Sequence, residues 1–170
     1  ELGAQSRRPS VLLTASDGKV IATYGDYYAG PAQVQDLPPY VMQAILATED
    51  RRFFDHMGFD PVGIVRAMIA NIRAGGLRQG GSTLTQQLAR NLYPEDIGRE
   101  QTITRKLKEA ITALKIEADY SKDEILETYH NSVSFLYKAW GIEMAARTYF
   151  DKPAKSLDAL EAATLIGMLK

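Results

Sequence analysis

Cysteine is absent from the 170-residue sequence, and only two histidines are present, at positions 56 and 130. The missing cysteines exclude disulfide bonds and thiolate metal sites, and so few soft ligands make a structural zinc site untenable. Basic residues number 20 and acidic residues 21. The sequence therefore lacks the cationic excess that is typical of general nucleic-acid binding. A run of about 18 apolar residues, which a membrane-spanning helix requires, is also missing.

The composition is that of an ordinary globular domain. Hydrophobic residues make up 45% of the sequence and charged residues 24%, and 170 residues suffice for one domain with a real core. No internal repeat or low-complexity tract is present. The sequence starts with glutamate rather than methionine and has no signal-peptide pattern. We therefore expect a fragment whose natural N-terminus, with any membrane anchor, is missing.

The pattern of secondary structure predicts a mainly α fold with a small β-hairpin at the start. Two β-prone runs in residues 10–25 flank Asp17-Gly18, a pair that favours a tight turn. From Tyr40 onward the signals are helical. Helix starts are marked by proline or by a capping box, a polar residue followed three residues later by Gln or Glu. Seven helices are expected. Four are placed by their start signals, at Pro38-Pro39, Thr83 with Gln86, Ser121 with Glu124, and Asp158 with Glu161. The other three are placed by their ranges, 61–73, 101–120 and 141–150.

Glu49 occupies an unexpected position in the first helix. Val41, Met42, Ile45 and Leu46 form an apolar stripe, and the next position on that stripe is 49. One interpretation is a last, solvated helical turn beside other charged residues. The other is a carboxylate in a cleft, suited to acid or base chemistry at neutral pH.

The stretch QGGSTLTQQLARN, residues 79–91, combines glycines with a polar helix start. The glycines let a backbone approach a ligand closely, and the helix N-terminus near Ser82-Thr83 could meet an anion. Gln87, Arg90 and Asn91 share one helix face. A capped helix with a solvated polar face fits equally well, and no Walker loop is present.

Two further groups have both a structural and a functional interpretation. Arg105 and Glu109 are spaced i, i+4, off the apolar stripe of their helix, and form either a surface ion pair or a carboxylate beside cations that hold an anionic leaving group. That stripe consists of Ile103, Leu107, Ala110, Ile111, Leu114 and Ala118. Glu127 and Asn131 share a face of the next helix, where a structural role is the simpler interpretation.

Taken together, in their order, these stretches resemble the peptidoglycan glycosyltransferases of glycosyltransferase family 51. These are the polymerase domains of class A penicillin-binding proteins and the monofunctional enzymes. The first family motif, E-D-x-x-F-x-x-H-x-G, is present as Glu49, Asp50, Phe53, His56 and Gly58. The motifs G-x-S-T-x-T-Q-Q, R-K-x-x-E and K-x-x-I-L-E-x-Y-x-N follow at 80–87, 105–109 and 122–131.

The sequence departs from the family pattern at a few positions. Arg90 replaces the usual lysine and keeps the charge, His130 replaces a frequent leucine, and Leu136 replaces a common glycine. The family's fifth, arginine-rich motif would lie beyond Lys170. We therefore expect a glycosyltransferase domain that is incomplete at its C-terminus, and the activity of the truncated chain stays open.

The resemblance implies a lysozyme-like, mainly α fold. Residues 1–39 would form the hairpin and a linker, residues 40–170 the glycosyltransferase domain, and about 58–80 a jaw that contacts the membrane surface. Half of the apolar residues of the jaw helix are expected in the core and a minority against lipid. Those residues are Ile64, Val65, Met68, Ile69 and Ile72.

The resemblance also implies substrates and roles. The substrate is lipid II, added to a growing glycan chain on the outer face of the bacterial cell membrane, and moenomycin is the inhibitor. Glu49 is the base, and Glu109 assists the leaving group. A need for a divalent cation, Mg or Mn, is left open. The implied substrate-binding residues are Asp50, Phe53, His56, Ser82, Thr83, Gln86, Gln87, Arg90, Asn91, Arg105, Lys106 and Glu127.

Two other functions are compatible with the sequence. A lysozyme-like hydrolase would cut the same polymer with a glutamate acid, but it has no diphosphate for Arg90, Arg105 and Lys106 to hold. An inactive fragment that binds lipid II without turnover is the second alternative, which the missing fifth motif favours.

Overall fold

The computed structural model describes most of the chain. The described residues are 11–17, 20–24, 30–76, 80–98, 100, 102–137 and 139–169. The predicted hairpin is present, because strand β1, Val11–Thr14, pairs antiparallel with strand β2, Val20–Tyr24, with an irregularity between Leu13 and Thr14. Gly18 of the predicted turn, residues 77–79 of the predicted jaw and Lys170 lie outside the described residues.

The mainly α prediction is confirmed. The described residues contain eight α-helices, and the short α4 is the one that the sequence did not predict. In chain order they are α1 (Pro39–Glu49), α2 (Pro61–Ala74), α3 (Leu84–Leu92), α4 (Pro94–Ile97), α5 (Ile103–Asp119), α6 (Lys122–Ser132), α7 (Ile142–Phe150) and α8 (Ala159–Gly167). None of the helices in the described part of the chain has the length and apolar character that crossing a membrane requires.

The chain divides into two compact units. One comprises residues 1–44 and 130–170, and the other residues 45–129. The division at residue 40 suggested by the sequence stays a prediction. In the first unit α7 packs against α8 and against a 3₁₀ turn, Ala154–Ser156. The predicted capping box of α8 is present, with Asp158 and Glu161 each bonded to the other's backbone N–H at 2.8 Å.

Two positions at which the sequence departs from the family pattern, His130 and Leu136, lie in the first unit. The Asn131 side chain forms a pair of hydrogen bonds with the backbone of Ala32, at 2.8 and 2.9 Å. His130 Nε2 lies 3.1 Å from the Ala32 carbonyl oxygen, so the imidazole has a polar partner that leucine would not use. Leu136 has a φ of 41°, in the left-handed region where glycine is unstrained. A glycine at this position would therefore be free of the backbone strain that leucine carries.

The second unit is built around the packing of α3 on α5. Leu84 and Leu88 of α3 and Ala113 of α5 are completely buried. The N-terminus of α3 begins as predicted, because the Thr83 hydroxyl accepts the N–H of Gln86 at 3.2 Å. The Ser121–Glu124 capping box at the start of α6 is also present.

One prediction about an apolar face is wrong. The five apolar residues expected to divide between core and surface in α2 are all exposed, and the buried positions of that helix are Gly63 and Ala67. In α5 the predicted stripe also faces outward, from Ile103 to Leu114, while the buried positions are Glu109, Ala113, Ile116 and Glu117. The buried positions of α2 are thus small residues, whereas α5 buries Ile116 together with an alanine and two glutamates.

Candidate active site

The Glu49 carboxylate lies at the end of α1 and is half-buried. The predicted stripe is present, with Val41 and Ile45 completely buried. Glu49 Oε2 accepts a hydrogen bond of 2.8 Å from Nε2 of Gln87, on α3. A half-buried carboxylate held by an amide agrees with the cleft interpretation of Glu49 better than with a solvated helical turn.

Gln87 is held in turn by Tyr129, near the end of α6. The phenol of Tyr129 donates to Oε1 of Gln87 at 3.1 Å, and the residue is only 1% exposed. Burial raises the pKa of the phenol, the negative charge of Glu49 raises it further, and Arg90 opposes the change. Sequence reasoning gave Tyr129 no role, although it is the tyrosine of the fourth motif.

Asp50 and His56 form a buried pair beside Glu49. His56 Nδ1 accepts the N–H of Gly58 at 3.2 Å, so Nε2 carries the proton that is shared with Asp50 Oδ2 at 3.0 Å. Asp50 Oδ2 also accepts the N–H of Leu84 at 2.9 Å. The Asp50 carboxylate and the His56 imidazole thus form internal hydrogen bonds. These bonds hold the chain after Glu49 against the start of α3.

Gly58 shows why the first motif ends in glycine. Its φ is +79°, and an added Cβ would lie 2.9 Å from the carbonyl carbon and oxygen of Ala113 in α5. The Gly58 carbonyl oxygen accepts the Thr83 hydroxyl at 2.8 Å. The first and second motifs are therefore joined directly, at a point where only glycine fits.

A third buried group connects the second and fourth motifs. Glu117 accepts hydrogen bonds from the Thr85 hydroxyl at 2.6 Å and from Lys122 Nζ at 2.8 Å. Lys122 also donates to the His56 carbonyl oxygen at 2.6 Å and lies 4.3 Å from the centre of the Phe53 ring. Sequence reasoning missed Thr85, Glu117 and Lys122 as a group. The motif positions of Thr85 and Lys122 were the available signal.

Glu109 is surrounded by cations. Its Oε2 lies 2.6 Å from Lys106 Nζ, and its Oε1 lies 3.5 Å from Arg105 Nε. Lys106 Nζ also donates to the Ser82 hydroxyl at 2.6 Å. Glu109 is only 1% exposed, so the surface-ion-pair interpretation of Arg105 and Glu109 is wrong. The ammonium of Lys106 is half-exposed and available to a ligand.

The N-terminus of α3 is less available to an anion than its sequence suggested. The N–H of Leu84 is bonded to Asp50, and the N–H groups of Gln86 and Gln87 are bonded to Thr83. The positive end of the helix already faces a carboxylate of the chain. An anionic ligand is therefore better served by side-chain cations than by this helix terminus.

The remaining predicted site residues differ in accessibility. Phe53 and Gln86 are buried, whereas Ser82, Arg90, Asn91 and Glu127 are half-buried. Asn91 and Glu127 each have interaction partners of their own. Arg90 is close enough to Tyr129 to affect its phenol. All of the predicted site residues belong to the unit formed by residues 45–129.

The described side chains of this site do not form a divalent-cation site by themselves. Among the described residues, no three histidine, aspartate or glutamate side chains are clustered as metal ligands. Glu109, the buried carboxylate of the site, already pairs with two cationic side chains.

Comparisons with known proteins cover almost the whole chain. The family model described as Transglycosylase matches residues 17–170. Penicillin-binding protein 1A of Neisseria flavescens is 44% identical over 168 residues, which is 98% of this chain and 21% of that relative. The proteins of the same name from Escherichia coli K12 and Aquifex aeolicus are 43% and 45% identical, over 93% and 90% of this chain. The chain spans about a fifth of the length of these relatives.

Proposed function

Because the chain belongs to the transglycosylase family, and is thus a peptidoglycan glycosyltransferase domain, we propose that it polymerises lipid II into β-1,4 glycan strands. The observation that carries the proposal is a half-buried, amide-held carboxylate, Glu49, in the same unit as the cations around Glu109. Glu49 supplies a base, and the cations around Glu109 supply a place for an anionic leaving group.

Glu49 acts as the general base. It removes the proton from the 4-hydroxyl of the acceptor sugar, whose oxygen attacks the anomeric carbon of the growing chain. The bond from that carbon to the lipid diphosphate breaks, and the configuration inverts from α to β. A sugar hydroxyl is a poor nucleophile, so a positioned base contributes about a hundredfold to ten-thousandfold to the rate.

Lys106, Arg105 and Arg90 receive the undecaprenyl diphosphate that leaves. Charge-assisted hydrogen bonds to phosphate oxygens are strong, and fixed cations stabilise the charge that develops on the leaving group. Glu109 assists departure by holding Lys106 and Arg105 in place. A glycan hydrolase releases no diphosphate, so these cations favour the transferase over the hydrolase.

Several implied substrate-binding residues act by positioning. Asp50, His56 and Thr83 use their side chains in internal hydrogen bonds, and Phe53 is completely buried. We propose that these four shape the site rather than touch lipid II. The proposed role in substrate binding remains, beside the three cations, for Ser82, Gln87, Asn91 and Glu127. Gln86 is buried and belongs with the residues that shape the site.

The exposed face of α2 contacts the membrane surface. One side of this helix presents Val62, Val65 and Ile69 together with Arg66 and Arg73. Apolar side chains with flanking arginines suit the boundary between acyl chains and anionic headgroups. This surface would place the site beside a lipid-linked substrate on the outer face of the bacterial cell membrane, where the inhibitor moenomycin would compete with it.

The proposal is tested by incubating the chain with labelled lipid II in detergent and separating products by size. The unmutated chain should form long strands and release undecaprenyl diphosphate. Glu49→Gln keeps the shape and removes the base, so polymer formation should fall at least about a hundredfold with unchanged thermal unfolding. Glu95→Gln, an exposed change on α4, is the matched control.

Other outcomes would favour the alternatives. Full activity of Glu49→Gln would contradict the assignment of the base. Release of fragments from purified cell wall, without polymer, would indicate the hydrolase. Moenomycin binding by a chain that makes no polymer would indicate an inactive fragment that binds lipid II.

A further inference from the structure

We propose that Tyr129 is a positioning residue for Glu49 and acts through the side-chain amide of Gln87, an inference that rests on the proposed role of Glu49 as base. The three residues come from α6, α3 and α1. They form a continuous chain of hydrogen bonds, from the Tyr129 phenol to Gln87 Oε1 at 3.1 Å and from Gln87 Nε2 to Glu49 Oε2 at 2.8 Å.

The direction of each hydrogen bond follows from the chemistry of the groups. A carboxylate only accepts, and a primary amide has one accepting and one donating end. The phenol donates to the oxygen of Gln87, so the nitrogen must face Glu49. An ordinary phenol is already protonated at neutral pH, and burial and the nearby charge of Glu49 raise the pKa of Tyr129 further, so Tyr129 is a donor.

The hydroxyl of Tyr129 is not needed for the packing of the ring, and we assign it the role of anchoring Gln87. The ring is packed in the core, and phenylalanine would fill the same space. Gln87 is only half-buried and has three rotatable bonds, so its amide needs anchoring at the oxygen end to stay aimed at Glu49. A base that is displaced or mobile loses rate at the chemical step rather than at substrate binding.

A double-mutant cycle tests this coupling with the 170-residue chain. Tyr129→Phe should lower kcat for lipid II polymerisation about tenfold and change KM by less than about twofold. In a Gln87→Met background, where the amide is missing, the same substitution should change kcat by less than about twofold. Tyr93→Phe, which removes an exposed phenol in the same unit, is the control and should match the unmutated chain.

A purely structural role for Tyr129 gives a different result. Tyr129→Phe would then lower kcat equally in both backgrounds, or not at all, and either result would overturn the proposal. A loss confined to KM would also overturn it.

A second measurement separates this proposal from the failure of the proposed function. Side-chain amide resonances of Gln87 can be followed by ¹⁵N NMR without turnover. Tyr129→Phe should shift them toward those of an exposed glutamine, and Tyr93→Phe should leave them in place. Unchanged Gln87 resonances in Tyr129→Phe would overturn the inference whether or not the chain polymerises lipid II. Shifted resonances in a chain that makes no polymer would support the inference and refute the proposed function alone.

Discussion

The Asp50 carboxylate accepts the backbone N–H of Leu84 at 2.9 Å, across 34 residues of sequence. The first residue after α1 thereby caps the first residue of α3. Because Glu49 precedes Asp50 and Gln87 follows Leu84 by one turn, this hydrogen bond sets the spacing between the proposed base and the amide that holds it.

Removal of that carboxylate should destabilise the chain. Asp50→Ala leaves the N–H of Leu84 and Nε2 of His56 without their carboxylate partner in a buried place, which should lower the free energy of unfolding by about 2–4 kcal/mol. Urea unfolding measures the change. Asp55→Ala removes an exposed carboxylate and should cost less than about 0.5 kcal/mol. Equal losses in the two variants would contradict the capping role of Asp50.

Lys106 should affect turnover far more than a nearby lysine of the same helix. Lys106→Met removes the ammonium that bridges Glu109 and Ser82, and kcat/KM for polymerisation should fall about tenfold to a thousandfold. Lys108→Met is the control, because Lys108 bonds instead to the Asp96 carbonyl oxygen. Its kcat/KM should stay within about twofold of the unmutated chain. A similar fall in both variants would remove the proposed diphosphate role of Lys106.

The exposed face of α2 should determine vesicle binding. A chain with Val65, Met68 and Ile72 changed to serine should partition at least about tenfold less onto vesicles of phosphatidylglycerol and phosphatidylethanolamine, since burial of each apolar side chain contributes about 1.5–3 kcal/mol. Cosedimentation measures the partition, and circular dichroism checks the fold. Leu160→Ser removes one exposed leucine of α8 and should bind as the unmutated chain does. Undiminished binding of the triple variant would exclude α2 as the contact surface.

Alkaline pH should lower the free energy of unfolding of the chain through ionisation of Tyr129. The folded chain holds the phenolic proton to higher pH than the unfolded chain, in which the pKa is about 10. The stabilising contribution is therefore fully present below pH 10 and is lost as the pH rises above it, by up to about 1.4 kcal/mol per pH unit.

Urea unfolding at pH 9 and pH 11 measures this effect. The difference in free energy of unfolding between the two pH values should be smaller for Tyr129→Phe than for the unmutated chain. Glu49→Gln should lower the pKa of the phenol in the folded chain but leave it raised, because burial, the first cause, is unchanged. An unchanged difference in Tyr129→Phe would show that the phenol is not buried in solution.

Local signals in the sequence predicted the helices well. Ser121 with Glu124, and Asp158 with Glu161, mark helix starts through contacts only three residues apart, and both contacts are present. Glu49 was identified because a charge on an apolar stripe breaks a short-range pattern. Periodicity also identified the apolar stripe of α5, but it shows which residues share a face and not which face turns inward, and this stripe turns outward.

Long-range contacts were beyond the reach of the sequence pattern. Tyr129 meets Gln87 across 42 residues, and Thr85 meets Glu117 across 32. Neither pair has a spacing that a helix or strand repeat would single out. The burial of Glu109 likewise depends on the packing of α3 against α5, which local sequence patterns do not specify.

The outward stripe of α5 has a practical consequence for the purified chain. Ile103 is 85% exposed, and Leu107, Ile111 and Leu114 continue the same apolar surface. Exposed apolar surface of this kind is unfavourable in water, so we expect two chains in detergent-free buffer to bury these stripes against each other. The chain should therefore associate reversibly as its concentration rises, and mild detergent should return it to single molecules.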